Sequence, residues 1–422
     1  MTDHILMRAT APANAFVRWL AVYLPPSLGT NERPVYRDVL AFGVALFGLT
    51  AIAYVATISW GGTIPRDGTS LAVGRDFLNF WMYGRSAWSE NPGAFYDIAT
   101  YHAAIRDLAG YSLNGQNWSY PPSIMLLAAP FGKLGYLTAL AIWTLMGLAL
   151  FIAVARRNVS DWRILLPVLV SPAALMCLIS GQSAFVTGAL LISVFALMDR
   201  RPLVAGFLIG LLSIKPQLGL LFPFFLIASQ RWQVFFAAAL TTIALVAFTA
   251  AIFGHQVWLD FIQKGLSVQG MVLADPDRIA TPFFPTVFMN LRGVDASYAL
   301  AMSVQGVFSI FAIGALVWAA AFRRNADSVM TMALFFACTV CASPYLLSYD
   351  LVPLTFAAIV VLASGQLDRV GRRVVQLVFW IPALQLALGT YHIPGPALIA
   401  PVFVAWLVMR LRDTPQGPLE SA

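Results

Sequence analysis

Long uninterrupted apolar runs constrain this chain more than any other feature. Residues 39–60, 232–253 and 297–322 each reach or exceed the roughly 20 residues a helix needs to cross the hydrocarbon core of a bilayer. Backbone inside lipid must satisfy its own N–H and C=O groups, so helices are the form such runs take. Composition points the same way. Of 422 residues, 59% are hydrophobic and 11% charged, against about 25% charged in an ordinary soluble chain. The pattern predicts an all-α polytopic membrane protein with about twelve spans, at 39–60, 136–155, 164–179, 183–198, 202–214, 216–229, 232–253, 297–322, 328–343, 350–364, 374–390 and 395–410. A further apolar piece, 121–131, is too short to cross comfortably and is expected to dip into or lie on the membrane.

Charge fixes the orientation. If both termini are cytoplasmic, the cytoplasmic segments hold 17 of the 26 basic residues but 9 of the 19 acidic ones, which is the bias expected of inward-facing loops. The formal net charge of +7 is therefore topological. No basic run or aromatic-basic platform indicates a nucleic-acid partner. The polar stretch before residue 39 has no short apolar core followed by a small-residue cleavage site, so it is read as a cytoplasmic N-terminal segment, 1–38, with the first span retained. Residues 39–410 then form one transmembrane domain, and 411–422 a cytoplasmic tail. Localisation follows as a multi-pass protein of a bacterial inner membrane.

Two long connections, 61–120 and 254–296, fall on the outer side, while the cytoplasmic ones are short. Loops of that length in a compact protein are functional or disordered, and these are too aromatic for disorder. The active side should face the periplasm or exterior. The segment Gly74-Arg75-Asp76-Phe77-Leu78-Asn79-Phe80-Trp81-Met82-Tyr83-Gly84-Arg85, read as a helix, puts Asp76, Asn79 and Tyr83 on one side and Phe77, Trp81 and Trp88 on the other, as an interfacial helix would. Asn117-Trp118-Ser119-Tyr120-Pro121-Pro122 reads as a turn opening a helix. Ser180-Gly181-Gln182-Ser183 is a polar hairpin whose glutamine could bond a sugar hydroxyl or satisfy backbone groups. Ser213-Ile214-Lys215-Pro216-Gln217 breaks an apolar run with an ammonium, which is costly in a membrane unless an anion or a wet cavity answers it; snorkelling to headgroups is the alternative. Ser343-Pro344-Tyr345-Leu346-Leu347-Ser348-Tyr349-Asp350 ends in an aromatic and an acid that could cap the next helix.

His255 and His392 also fall on the outer side, but no spacing makes a metal-ligand set, and no phosphate loop, dinucleotide fingerprint or nucleophile elbow appears. No metal or other cofactor is expected. Cys177, Cys338 and Cys341 lie inside apolar segments and read as small buried residues.

In combination, the Gly74-Arg75-Asp76-Phe77 segment, Tyr120-Pro121-Pro122, Ser180-Gly181-Gln182, Lys215-Pro216-Gln217 and the Ser343-Pro344 to Tyr349-Asp350 run resemble glycosyltransferase family 87, the polyprenyl-phosphate-mannose-dependent mannosyltransferases and their relatives. The resemblance implies a GT-C type fold with interfacial helices in the first outer loop. It also implies inverting transfer of a hexose, mannose first, from a polyprenyl-phosphate donor to a lipid or glycan acceptor. Asp76 matches the family's catalytic base. Lys215, Arg75 and Arg85 are candidates to bind the donor phosphate, and Asn79, Tyr83, Tyr120, Gln182, Gln217, His255, Tyr345, Tyr349 and Asp350 to bind substrate. Where some members carry histidines after the late Ser-Pro, this chain has Tyr349 and Asp350, so glucose, galactose, arabinose or an amino sugar stay open as donors. A transporter or flippase of a lipid-linked sugar is the alternative, although it would favour internal repeats and midplane polar groups. A membrane acyltransferase ranks last, because His102, His255 and His392 all fall in outer loops.

Overall fold

A computed structural model describes residues 36–413 apart from 114, 118–119, 160, 275–280, 325 and 365–366. Most of the expected cytoplasmic N-terminal segment and tail, and the Trp118-Ser119 pair, lie outside the described residues. Within them the chain is helical, and the only strand-like features are two isolated antiparallel bridges, Ser59 with Arg66 and Arg66 with Ala72.

A helix or a helix pair stands at each of the twelve expected positions, but they are not twelve equivalent spans. Five helices are long and apolar enough to cross a membrane: Val39–Ala56, Tyr136–Asn158, Trp232–Phe253, Tyr298–Phe322 and Gly395–Asp413. A sixth arises if Trp162–Leu169 and Pro172–Ser180, bent by 62° against each other, count as one broken span. Five more are shorter: Ala184–Leu197, Pro202–Ile214, Pro216–Ala228, Ser328–Ala342 and Ser348–Ala363. The twelfth, Arg369–Gly389, has 21 residues and carries Arg369, Arg372 and Arg373 in its first turns. At 1.5 Å per residue, a 14-residue helix such as Ala184–Leu197 spans about 21 Å, short of a core of about 30 Å. The breaks have local causes. Pro172, Pro202, Pro216 and Pro353 each sit in the first turn of a helix, where a missing N–H costs nothing, and each discourages helix in the residue before it.

Burial differs sharply between helices of similar composition. Only 6% of the best window of Trp232–Phe253 is buried, whereas 11 of the 12 residues of Val352–Ala363 and 11 of the 15 of Ser328–Ala342 are. Ala184–Leu197, Ser328–Ala342 and Val352–Ala363 form the centre of the main apolar core, around Phe335, Phe356 and Cys338, while Pro202–Leu211 is buried on one side only, with Leu203 and Phe207 exposed. One sheath helix is locked on by close backbone approach. Gly206 and Gly210, spaced by four on Pro202–Leu211, face Trp232–Phe253; a Cβ at Gly206 would lie 2.5 Å from Ala237 Cβ, and one at Gly210 would lie 2.6 Å from Thr241 Cγ2. Small residues at this spacing let two helices meet in lipid.

The connection between Val39–Ala56 and Tyr136–Asn158 is a folded cap. It contributes the helices Phe77–Ser86 and Ile98–Ala109 and packs with Ile124–Gly132 into a second core of Phe77, Tyr83, Tyr96, Tyr101 and Met125, which rests on Tyr136 and Trp143 of the Tyr136–Asn158 helix. The expected interfacial helix is corrected here. It begins after Asp76, and nine of its ten residues are buried within the protein, Trp81 and Phe77 as well as Asn79 and Tyr83. The 121–131 piece becomes Ile124–Gly132, packed against that same helix.

Candidate active site

Asp76 occupies the residue before the Phe77–Ser86 helix, where an aspartate ordinarily caps with its side chain. Here it makes no cap bond. It is partly buried, and its Oδ2 accepts a hydrogen bond from Gln182 Nε2 at 3.1 Å, 106 residues further along the chain.

Gln182 follows the Pro172–Ser180 helix at a turn made by Gly181, whose φ of 59° is left-handed. A Cβ on Gly181 would stand 2.6 Å from Phe77 Cβ, so glycine is what lets this turn press against the helix that Asp76 precedes. The turn is pinned further: Trp143 Nε1 donates to the Gly181 carbonyl at 2.9 Å, the Gln182 N–H to the Cys177 carbonyl at 3.2 Å, and the Cys177 thiol to the Gln182 carbonyl at 3.3 Å. The Gln182 amide also donates to the Tyr349 hydroxyl at 3.0 Å and accepts from the Tyr120 hydroxyl at 3.4 Å. Asp76, Tyr120, Gln182 and Tyr349, drawn from four separate stretches of sequence, thus meet in one polar cluster. Tyr345 lies within electrostatic reach of Asp76, its ring 4.9 Å from that of Phe284.

Beneath Tyr349 sits Lys215, at the break between Pro202–Ile214 and Pro216–Ala228. Its ammonium lies 4.9 Å from the Tyr349 ring centroid and is bonded to Asp350 Oδ1. Both side chains are almost wholly buried, so Lys215 neither snorkels nor faces an open headgroup site. Removing a lone ammonium from water costs several kcal/mol, and the Asp350 carboxylate offsets it. Asp350 does not cap the next helix; its Oδ2 is buried without a hydrogen-bond partner among the described residues, as is Ser348 Oγ.

Several expected site residues lie elsewhere. Asn79 is buried and accepts from the Tyr101 hydroxyl. Tyr83, fully buried, receives the Tyr120 N–H at 2.6 Å and donates to the Tyr120 carbonyl, so it supports Tyr120 from behind. Arg75 turns away into an ion pair with Asp67 at 2.9 Å. Burial pushes the Asp67 carboxyl up, but bonds from Thr69 and the Arg75 guanidinium outweigh it and hold the carboxyl below its ordinary range. Arg85 is exposed, 4.9 Å above the Trp81 ring. No hydrogen bond or ring contact joins Gln217 or the exposed His255 to the cluster among the described residues.

The supports that sequence reading missed are two polar residues inside the apolar Tyr298–Phe322 helix and the N-cap residue Thr286. Gln305 Nε2 donates to the Cys341 carbonyl at 2.9 Å, Ser309 Oγ to the Ala342 carbonyl at 2.8 Å, and Thr286 Oγ1 to the Pro344 carbonyl at 2.9 Å. The Cys341 and Ala342 carbonyls end the Ser328–Ala342 helix and lack helical partners, and Pro344 follows just beyond it, so the three side chains set the course of the segment that delivers Tyr349. A glutamine inside an apolar span was the available clue.

Comparison with known proteins adds a family. The model of glycosyltransferase family 87 matches residues 118–348, more than half the chain. That stretch contains Tyr120, Gln182, Lys215, Gln217, His255 and Tyr345; Asp76 precedes it, and Tyr349 and Asp350 follow directly. No curated protein and no solved structure matches the chain. A folded cap over a bundle of apolar helices, with a carboxylate held at their junction, accords with sugar transfer at a membrane surface, and on the family match this chain belongs to glycosyltransferase family 87, membrane glycosyltransferases that move a sugar from a donor to an acceptor.

Proposed function

We propose that this protein transfers a hexose, mannose first among the candidates, from a polyprenyl-phosphate donor to a lipid or glycan acceptor on the periplasmic face of a bacterial inner membrane, within a GT-C type fold. The observation that carries the reading is Asp76: a partly buried carboxylate, free of capping duty, oriented by a neutral amide and answered by no ion pair among the described residues. A sugar hydroxyl is a poor nucleophile, and a carboxylate placed to take its proton is what direct displacement requires. In the proposed step the acceptor oxygen bonds to the anomeric carbon from the face opposite the phosphate, and its proton passes to Asp76. The anomeric C–O bond breaks toward the lipid phosphate, and the configuration inverts.

Arg75 and Arg85 are placed for other contacts, and Lys215 would meet a donor phosphate only by giving up Asp350. The proposal therefore assigns Lys215 chiefly to holding the Tyr349 segment. Purified protein in lipid nanodiscs, given a panel of radiolabelled polyprenyl-phosphate monosaccharides with membrane lipid extract as acceptor, tests the reading. Wild type should transfer one of them, and Asp76→Asn should lower the rate by about 10²–10⁴-fold. Headgroup translocation without transfer, unaffected by Asp76→Asn, would replace it with a flippase.

A further inference from the structure

Gln182 is the residue of the cluster with nothing left to offer a sugar. Its Oε1 receives the Ser183 N–H at 3.1 Å as well as the Tyr120 hydroxyl at 3.4 Å. A peptide N–H can only donate, so the oxygen end of the amide is fixed there and the nitrogen end must face the other way. That nitrogen carries two hydrogens and meets two acceptors, Asp76 Oδ2 at 3.1 Å and Tyr349 Oη at 3.0 Å. Two bonds accepted and two donated exhaust a primary amide.

We propose that Gln182 is a positioning residue, which holds the Asp76 carboxylate and the Tyr349 hydroxyl at a fixed separation and selects Asp76 Oδ1 as the oxygen presented to the acceptor. The proposal rests on Asp76 being the base. With Oδ2 held by the amide, the carboxylate cannot spin freely, and Oδ1 carries no hydrogen bond among the described residues. Tyr349, accepting one bond from the amide, keeps its own proton to donate into the site. The bracket is stiff because Gly181, Trp143 and Cys177 pin the turn from which Gln182 projects, and a catalytic group held by such supports loses less of its reach to disorder.

The test compares Gln182→Glu and Gln182→Met with wild type and Asp76→Asn, in nanodiscs, with radiolabelled polyprenyl-phosphate mannose and the rest of the donor panel. Gln182→Glu keeps the shape while losing both donors; Gln182→Met keeps the bulk without polarity. Both should lower kcat about 10²-fold, the scale of an ångström of misplacement, with KM changed less than about threefold. A KM raised tenfold or more at unchanged kcat would mark a sugar contact and overturn the proposal, and so would wild-type kinetics in Gln182→Glu. If Asp76→Asn stays active while both Gln182 variants fail, the assignment of the base falls and the bracket on Tyr349 stands. A cryo-EM structure of Gln182→Met supplies the readout without turnover: Asp76 and Tyr349 side chains should leave their present positions, and unmoved side chains would sink the proposal.

Discussion

The Trp232–Phe253 helix and the Val352–Ala363 helix are both built almost wholly of apolar residues, yet one is nearly all exposed and the other nearly all buried. In water the first would be an aggregation surface; in lipid it is an ordinary solvent-facing one, because lipid tails are as apolar as leucine. Hydrophobicity therefore does not say which helices form the centre of this protein. Interruption does. The sheath helices run 18 to 25 residues unbroken, whereas the central ones stop at a proline, a glycine or a charged residue, and Gln182, Lys215 and Tyr349 sit at or beside those stops. A broken helix frees backbone groups that must be satisfied inside protein, so the breaks collect polar side chains and the sheath keeps lipid away from them.

The largest effect that this comparison predicts is at the central ion pair. Removing either partner alone, by Lys215→Met or Asp350→Leu, strands a buried charge and should cost about 3–5 kcal/mol. The double variant should recover most of that loss, since two apolar side chains leave no charge behind. Thermal unfolding of nanodisc-embedded protein reads both. A double variant no more stable than the worse single one would mean that the pair is not a closed structural unit. Next in size is the seam between the two classes of helix. Gly206→Leu or Gly210→Leu pushes Pro202–Leu211 off Trp232–Phe253 and should cost about 1–3 kcal/mol through overpacking, seen as a lowered unfolding midpoint. If leucine there were tolerated, the sheath would be only loosely attached.

Much of this arrangement was legible in the sequence, and the illegible parts share a cause. Periodicity and apolar run length located a helix at each of the twelve expected positions but not the cap helix Ile98–Ala109, and proline, glycine and isolated polar residues marked where the chain would break. Sidedness of charge then put Asp76, Tyr120, Gln182 and Tyr349 at one face, and the structure brings those four together. Partnership was not visible. Nothing local says that Lys215 pairs with Asp350, 135 residues away, rather than awaiting a phosphate, or that Arg75 is taken by Asp67. Asn79 and Tyr83 looked like a polar face of an interfacial helix because period reports which residues share a side, not whether that side is already covered by the rest of the cap. Of the twelve expected spans, five or six are long and apolar enough to cross a membrane, because a short apolar helix reads alike whether it crosses lipid or is enclosed by other helices.

The smallest predicted effect is the one that most directly separates sheath from centre. Leu240 and Ile243 on Trp232–Phe253 are 69% and 65% exposed, while Phe335 is wholly buried among Phe195, Phe222 and Phe225. Phe335→Ala leaves a cavity that the surrounding rings cannot fill, at about 3–5 kcal/mol. Leu240→Ala and Ile243→Ala exchange one lipid contact for another and should stay within about 0.5 kcal/mol of wild type. The contrast should hold in nanodiscs, where lipid occupies the outward face, and the measurement is the difference in unfolding midpoint between the buried and the outward variants. A loss at Leu240 comparable to that at Phe335 would mean that this face is covered by protein, in a second copy of the chain or another subunit, and the line between sheath and centre would then have to be redrawn around the assembly.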